Sequence, residues 1–282
     1  MMQGLSNISI HQDGLATLVN GIKFKDGFIN IDQGTIDKVR DKHIIIFKKV
    51  FEKPYLMNLK SIVTSHKFKA NDYRDCGMGL PGNLHRIDNL PNRRFSAKFF
   101  QLFSFTLWDS DTPEEILKLM RAWGEFANKV RGFKPGSLFD PEGVGFENLT
   151  NKDFAYWLNC IHYPPTGFFG RHHTRGASDY LDDNIPFAET VLYLSTLGED
   201  FQSGGLYIGK RGHDDSELTY VEPLLGWGDI LFFINDIHHE TKPVDKDKTS
   251  DLDPLKSRFV MALTGVAIKD AKAYFNVNVD KY

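Results

Sequence analysis

The second half of the sequence is a series of short apolar and β-branched segments separated by turn residues, and this pattern constrains the fold most. Seven segments have the length and composition of strands, at residues 157–163, 189–195, 205–209, 218–221, 229–234, 238–243 and 258–268. Turns containing proline or glycine separate several of them, at residues 164–167, 198–200, 203–205 and 226–228. Short strands at this spacing predict a β-sandwich, a jelly roll or a barrel.

The first half mixes helix and strand patterns. Residues 27–31 and 43–47 have strand composition, and residues 55–66 place apolar side chains at helical spacing. The clearest helix pattern follows Asp111-Thr112-Pro113 and stops before Gly132. The predicted architecture is therefore mainly β with flanking helices. We expect a single domain over residues 1–282, with an α/β support at 1–150 and a β core at 155–268.

Composition and charge exclude several classes of protein. The 282 residues include 34 Lys or Arg and 37 Asp or Glu, so the formal net charge is 34 − 37 = −3. A chain this close to neutrality has no general electrostatic reason to bind nucleic acid. No apolar run reaches the length of a membrane span, and the N-terminus lacks the layout of a signal peptide. Only two distant cysteines, Cys76 and Cys160, are present, so we expect a cytoplasmic protein.

Two histidine doublets follow predicted strands. His172 and His173 lie shortly after the strand that ends near Tyr163, and His238 and His239 follow an apolar strand. Neighbouring side chains of an extended segment face opposite ways, so only one histidine of each doublet points into a given interior. Imidazoles from different strands of a barrel are suitable ligands for a transition metal. The sequence therefore predicts a metal site built from one member of each doublet.

Five segments carry a family resemblance by their order and spacing. They are the Tyr163-to-Gly167 lead-in, residues 191–206 with the Gly204-Gly205 step, the Gly228-Asp229 strand start, residues 239–244, and Ser257-Arg258 with the apolar residues that follow. Together they resemble the Fe(II)/2-oxoglutarate-dependent oxygenase superfamily over residues 155–268. The N-terminal half matches that family only loosely.

The resemblance implies a fold, a chemistry and a set of site residues. The implied fold is a double-stranded β-helix, which is a jelly roll. Fe(II) would be held by His173 and His239, and 2-oxoglutarate would be bound by Arg258 with a contact from Tyr163. The implied reaction consumes molecular oxygen and oxidises a small molecule, such as an amino acid or a natural-product intermediate, by hydrogen abstraction and most simply by hydroxylation.

The chain departs from the family at the carboxylate of the first metal motif. Counting from Tyr163 makes His173 the ligand, which places Arg175 where the family has Asp or Glu. A guanidinium stays protonated and cannot bind iron. We therefore expect the third ligand to be a carboxylate further along the chain, with Asp179 ahead of Asp182 and Asp183.

Three alternative arrangements of the metal site stay open. The third position could be empty or hold chloride, as in a halogenase-like variant. His172 could be the true ligand, with Thr174 at the third position. The domain could also have lost its metal and act as a metal-free ligand-binding module. A cupin-like metalloenzyme is a further class of protein, which the Arg258 segment disfavours. A formal His213-x-Asp215 motif is disfavoured because it lies in a polar, glycine-containing turn.

Overall fold

The computed structural model describes residues 7–11, 14–66, 97–98, 101–106, 112–132, 154–173, 189–209, 217–249 and 256–267. These residues contain three α-helices, α1 (Gln33–Val39), α2 (Lys53–Ser65) and α3 (Glu114–Arg131). The first seven strands are β1 (Asn7–Ile10), β2 (Thr17–Asn20), β3 (Phe24–Lys25), β4 (Phe28–Ile29), β5 (Ile44–Phe47), β6 (Ala97–Lys98) and β7 (Gln101–Thr106). The next eight are β8 (Phe154–Tyr163), β9 (Phe168–His172), β10 (Glu189–Tyr193), β11 (Gly205–Ile208), β12 (Thr219–Tyr220), β13 (Ile230–Phe233), β14 (His239–Lys242) and β15 (Arg258–Ala267).

Strands β8 to β15 form a double-stranded β-helix. The larger sheet has the order β1-β2-β5-β13-β10-β15-β8-β7, and the smaller has the order β12-β11-β14-β9-β6. Along the chain, β8, β10, β13 and β15 belong to the larger sheet, whereas β9, β11, β12 and β14 belong to the smaller. This interleaving of antiparallel strands is the jelly-roll arrangement. The predicted fold class, mainly β with flanking helices around a jelly roll, is confirmed.

Strand β15 shows how the larger sheet buries both of its faces. Phe259, Met261 and Leu263 belong to the apolar cluster that includes the helices. Val260 and Ala262 belong to a second cluster, which contains residues of both sheets and therefore lies between them. Successive side chains of a strand point to opposite faces. The even-numbered residues of this strand, beginning with Arg258, therefore face the space between the sheets.

Helix α3 covers the outer face of the larger sheet. The ring of Phe126 contacts Phe47 on β5 and Phe232 on β13, with ring centroids 4.8 and 5.8 Å apart. Trp123 is fully buried in the same cluster. The helix ends at Gly132, whose φ of 81° suits a residue without a side chain. The predicted helix at this position is confirmed, with Pro113 as its N-cap; Asp111 lies outside the described residues.

The sequence pattern does not reveal one strand of the smaller sheet. It indicates a turn at residues 164–167 and no strand at β9, yet this strand pairs with both β14 and β6. Its sequence, Phe-Phe-Gly-Arg-His, does not alternate apolar and polar residues in the way that a half-buried strand does. The seven predicted strands of the second half are all present, most of them one or two residues shorter than expected. None of the described helices is long and apolar enough to span a membrane.

A buried carboxylate connects the start of β13 to the residues that follow β5. Asp229 accepts hydrogen bonds from the backbone N–H groups of Lys49 at 2.7 Å and Gly226 at 2.9 Å, and it forms an ion pair with Lys48. The preceding residue, Gly228, has a φ of +84°. A Cβ atom there would lie 2.1 Å from the carbonyl oxygen of Phe51. The Gly228-Asp229 motif of the sequence therefore has a structural role.

Replacement of Gly228 by alanine tests this close approach, with Gly198 as the control. Gly198 also has a positive φ, of +86°, but a Cβ atom there would meet nothing within 4 Å. Gly198→Ala should cost about 1–2 kcal/mol, because only the left-handed backbone is penalised. Gly228→Ala adds a steric clash with backbone and should cost at least about 3 kcal/mol. Urea unfolding of both variants would measure the difference, and equal losses would contradict the assignment.

Candidate metal centre

Two histidines from neighbouring strands face each other inside the jelly roll. His172 on β9 is directly opposite His239 on β14 in the antiparallel register. Their ring centroids lie 4.2 Å apart, with the ring planes at 56°. His239 also contacts Phe233, a member of the apolar cluster between the sheets, and it is only 6% exposed. The pair therefore points into the interior.

Both imidazoles are held in the tautomer that a metal ligand needs. The Nδ1 atom of His172 lies 2.7 Å from the carbonyl oxygen of Gly170, and that of His239 lies 3.1 Å from the carbonyl oxygen of Ile237. A carbonyl oxygen only accepts, so each Nδ1 atom carries the proton and donates it. The Nε2 atom of each ring is then unprotonated. Backbone hydrogen bonds of this kind orient metal-binding histidines.

The environment keeps both rings neutral. Burial lowers the pKa of His239 to about 4, and the nearby imidazoles of His238 and His173 act in the same direction. Burial also places the pKa of His172 well below its usual value, with a further contribution from His239. Because a protonated imidazole has no free lone pair, neutrality suits a pair of metal ligands.

The structure pairs the histidines differently from the sequence prediction. The ring of His173 packs against His238, with centroids 4.9 Å apart and an angle of 82° between the planes. This second pair lies on the opposite face of the β9–β14 ladder from His172 and His239, because neighbouring strand residues alternate. The interior partner of His239 is therefore His172 and not His173. The prediction counted from Tyr163 without recognising β9, so it paired His239 with the member of the doublet that lies on the other face; which histidines bind a metal stays a prediction.

The structure gives no third ligand within its described residues. There, no group of three or more His, Cys, Asp or Glu side chains is close enough to hold a metal ion. Asp179, Asp182, Asp183, Arg175, Thr174 and the His213-x-Asp215 motif all lie outside those residues. With His172 as the ligand, the position two residues later is occupied by Thr174. The role of Asp179 as third ligand stays a prediction.

Arg258 is buried in the interior and is paired with a carboxylate of the chain itself. Its Nε atom donates to Oε1 of Glu222 at 2.9 Å, and its Nη2 atom donates to the hydroxyl of Tyr193 at 3.1 Å. The guanidinium carbon lies 5.0 Å from the ring centre of Tyr163, with which Arg258 is in register. The side chains of Arg258 and Glu222 are 2% and 1% exposed. The predicted inward orientation of Arg258 is therefore present.

Tyr163 connects the arginine to the histidine strand. Its side chain shares a hydrogen bond with Thr241, which lies two residues beyond His239 on the same face of β14. Two residues of a strand span about 7 Å. Burial raises the pKa of Tyr163, whereas the charge of Arg258 acts in the opposite direction. Tyr163, Arg258 and the interior histidines thus belong to one region between the two sheets.

Sequence reasoning missed three interior polar residues. Glu222 and Tyr193 contact Arg258, and Glu189 on β10 faces the interior from a position opposite Thr264 on β15. Glu222 follows an apolar segment and precedes Pro223 in a turn that nothing marks as functional. Tyr193 lies in an apolar strand where an aromatic residue is most simply a core residue. No local signal distinguishes these side chains from structural ones.

No family model matches the chain, and no curated protein matches it. Many solved structures match the chain. The sequence identities of three of them lie between 9% and 16%. A prolyl-4-hydroxylase from Pseudomonas putida is 16% identical, with 83% of this chain and 97% of that chain covered and a TM-score of 0.47.

Two further matches are a protein of a named oxygenase family and a protein solved with 2-oxoglutarate bound. An oxidoreductase of the 2OG-Fe(II) oxygenase family from Burkholderia pseudomallei is 11% identical, with coverages of 87% and 95% and a TM-score of 0.46. HygX from Streptomyces hygroscopicus, solved with nickel and 2-oxoglutarate bound, is 9% identical, with coverages of 84% and 87% and a TM-score of 0.42. All three matches have TM-scores below 0.5.

The interior carboxyl of Glu189 predicts a pH dependence of stability. Burial raises its pKa from 4.5 to about 7, and its hydrogen bond with the Thr264 hydroxyl, at 3.5 Å, only partly opposes this. The folded protein holds this proton more tightly than the unfolded chain, so stability is lost as the pH rises from about 4.5 through about 7. The difference in free energy of unfolding between Glu189→Gln and wild type should therefore shift in favour of the variant between pH 5 and pH 8. The expected shift is on the order of 2 kcal/mol.

Urea unfolding at both pH values measures this gain. Glu199→Gln, which removes an exposed carboxylate, is the control and should keep the wild-type pH dependence. A Glu189→Gln variant with an unchanged pH dependence would show that Glu189 does not hold a proton in the folded protein.

The two histidine pairs give a matched test of the metal site. His172→Ala and His239→Ala should each weaken Mn(II) binding by at least about tenfold, because each removes one of the two interior imidazoles. His173→Ala and His238→Ala remove the same chemical group from the opposite face and should leave the affinity within about twofold of wild type. Calorimetric titration of the folded variants measures all four. Weaker binding by the second pair, with the first unaffected, would restore His173 as the ligand.

Proposed function

We propose that this protein is a non-haem Fe(II)- and 2-oxoglutarate-dependent oxygenase that oxidises a small molecule. One observation carries the proposal: two neutral imidazoles with unprotonated Nε2 atoms and a buried arginine lie in the same region between the sheets. A jelly roll built only for packing has no need of either feature. Together they suit a metal ion and an anionic co-substrate.

His172 and His239 would hold the iron on one side through their Nε2 atoms. Two neutral imidazoles from adjacent strands fit a divalent transition metal, and two imidazoles with a carboxylate are the ligands typical of non-haem Fe(II) oxygenases. When bound, the iron supplies the redox chemistry that couples oxidative decarboxylation of 2-oxoglutarate to oxidation of the substrate by molecular oxygen. The hydrogen bonds from Nδ1 to Gly170 and Ile237 keep both rings oriented for this role.

Arg258 would bind the distal carboxylate of 2-oxoglutarate. A guanidinium forms charge-assisted hydrogen bonds with carboxylates, and burial strengthens them by excluding water. The guanidinium lies over the ring of Tyr163, with its carbon atom 5.0 Å from the ring centre. Thr241 lies between this arginine region and His239, so a co-substrate that reaches both would lie along the interior face of β14.

Hydroxylation through hydrogen abstraction is the simplest outcome for the substrate. The interior also presents Glu189 at the start of β10, where a polar substrate group would find a hydrogen-bonding partner.

A cytoplasmic site of action is part of the same proposal and rests on the low cysteine content.

A halogenase-like variant is the second candidate. It is favoured by one specific observation: with His172 as the ligand, Thr174 stands two residues later, and threonine supplies no carboxylate. A chloride ion would then take the third position on the iron. Product analysis with and without chloride separates this candidate from a hydroxylase.

The proposed co-substrate site is tested by its arginine. Arg258→Ala alone would leave Glu222 buried without its partner, which destabilises proteins by about 3–5 kcal/mol. The double variant Arg258→Gln, Glu222→Gln removes both charges and should fold. Its affinity for 2-oxoglutarate should fall at least about thirtyfold, because the charge-assisted pair with the co-substrate is lost.

Calorimetry with the Mn(II)-loaded protein measures this affinity. Arg171→Ala is the control and should keep the wild-type affinity, because Arg171 is exposed on β9. With Fe(II) and oxygen, wild type should also release succinate from 2-oxoglutarate, whereas the double variant should need far more co-substrate to do so. A wild-type protein that neither binds 2-oxoglutarate nor converts it to succinate would refute the proposed function.

A further inference from the structure

The arginine assigned to the co-substrate already has a permanent counter-ion. Arg258 and Glu222 form an ion pair 2.9 Å long, with both side chains almost completely buried. An arginine that served only to attract a carboxylate would be more effective without a neighbouring negative charge. The presence of Glu222 therefore needs a reason beyond the binding of an anion.

Glu222 is held firmly in its position. Its second oxygen, Oε2, accepts a hydrogen bond from the backbone N–H of Leu206 at 2.6 Å. Gly205 provides the necessary space, because a Cβ atom at this residue would lie 2.6 Å from both Cγ and Cδ of Glu222. The φ of Gly205, +104°, also favours glycine. Gly205 thus admits the Glu222 side chain, which is fixed by its hydrogen bonds to Leu206 and Arg258.

The pairing leaves one edge of the guanidinium available. Nε and Nη2 are engaged by Glu222 and Tyr193 respectively. Among the described residues, no hydrogen-bond partner is found for Nη1 of Arg258. Each Nη atom carries two protons, so the Nη1–Nη2 end can still receive a carboxylate. Glu222 and a bound co-substrate would then flank the same arginine from two sides.

We propose that Glu222 is a specificity-determining counter-ion that orients Arg258 and limits the affinity of the site for the distal carboxylate of 2-oxoglutarate. This inference rests on the proposed function of the same site. Before binding, the Arg258–Glu222 pair is neutral. A second carboxylate makes the buried group of three charges net negative. The repulsion between the two carboxylates therefore opposes part of the attraction to the arginine.

The consequence is a selectivity that a lone arginine would not have. A 2-oxo acid with an uncharged tail avoids the repulsion and loses only the attraction to Arg258. The site should therefore discriminate weakly between 2-oxoglutarate and 2-oxopentanoate, which has a methyl group in place of the distal carboxylate. In wild type we expect less than about a tenfold preference for 2-oxoglutarate, against a hundredfold or more for an unpaired buried arginine.

Glu222→Gln tests the charge directly. We expect 2-oxoglutarate to bind the Mn(II)-loaded variant at least about tenfold more tightly than wild type, with 2-oxopentanoate unchanged within about threefold. Glutamine keeps the size of the side chain but cannot accept from both Leu206 and Arg258. Any general loosening of the site would weaken the binding of both ligands together. The ratio of the two affinities therefore isolates the effect of the Glu222 charge. Glu240→Gln on the opposite face of β14 is the matched control and should leave the ratio unchanged.

The outcomes separate this inference from the proposed function. If wild type binds 2-oxoglutarate but Glu222→Gln binds it no more tightly, Glu222 is only structural and the inference fails while the function stands. If neither protein binds 2-oxoglutarate, the proposed function itself fails. Should Glu222→Gln not fold, the wild-type ratio decides: a preference for 2-oxoglutarate over 2-oxopentanoate above about a hundredfold would overturn the inference, and one below about tenfold would support it.

Discussion

The ten-residue antiparallel pairing of β8 with β15 is the interaction on which the rest of the structure depends. It runs from Arg258 opposite Tyr163 to Ala267 opposite Phe154. β15 also pairs with β10 on its other side, so it lies in the middle of the larger sheet. Because strand side chains alternate, this single register sends one set of residues towards the helices and the other towards the smaller sheet. A slip of one residue would place Arg258 among the apolar helices.

The interior that this register creates is not uniformly apolar. Val260 and Ala262 pack against the other sheet, whereas Arg258 and Thr264 on the same face meet the carboxyl groups of Glu222 and Glu189. Buried charges are tolerated only with partners, and each of these partners comes from a different part of the chain. On this face of the strand, Val260 and Ala262 supply the packing, and the polar residues Arg258 and Thr264 lie on either side of them.

The histidine doublets show how one position in the chain can change a chemical assignment. His172 and His173 are adjacent, yet the first faces the interior beside His239 and the second faces His238 on the other side. Sequence reasoning found both doublets and the need to choose one member of each. It placed His173 and His239 in one site, whereas the structure places His239 beside His172, because the member that faces the interior depends on where β9 begins. The apolar pair Phe168-Phe169 and Gly170 hide that strand from a pattern-based prediction.

The sequence alone determined the class of fold, the helix α3, most strands of the core, and the types of residue that a metal and an anion would need. Those features follow from local patterns, since periodicity, turn residues and glycines act over a few positions. Only the tertiary structure decided which histidines share an interior and that Arg258 is paired with Glu222, 36 residues earlier in the chain. Contacts between distant residues depend on how the two sheets face each other, and no local pattern encodes that arrangement.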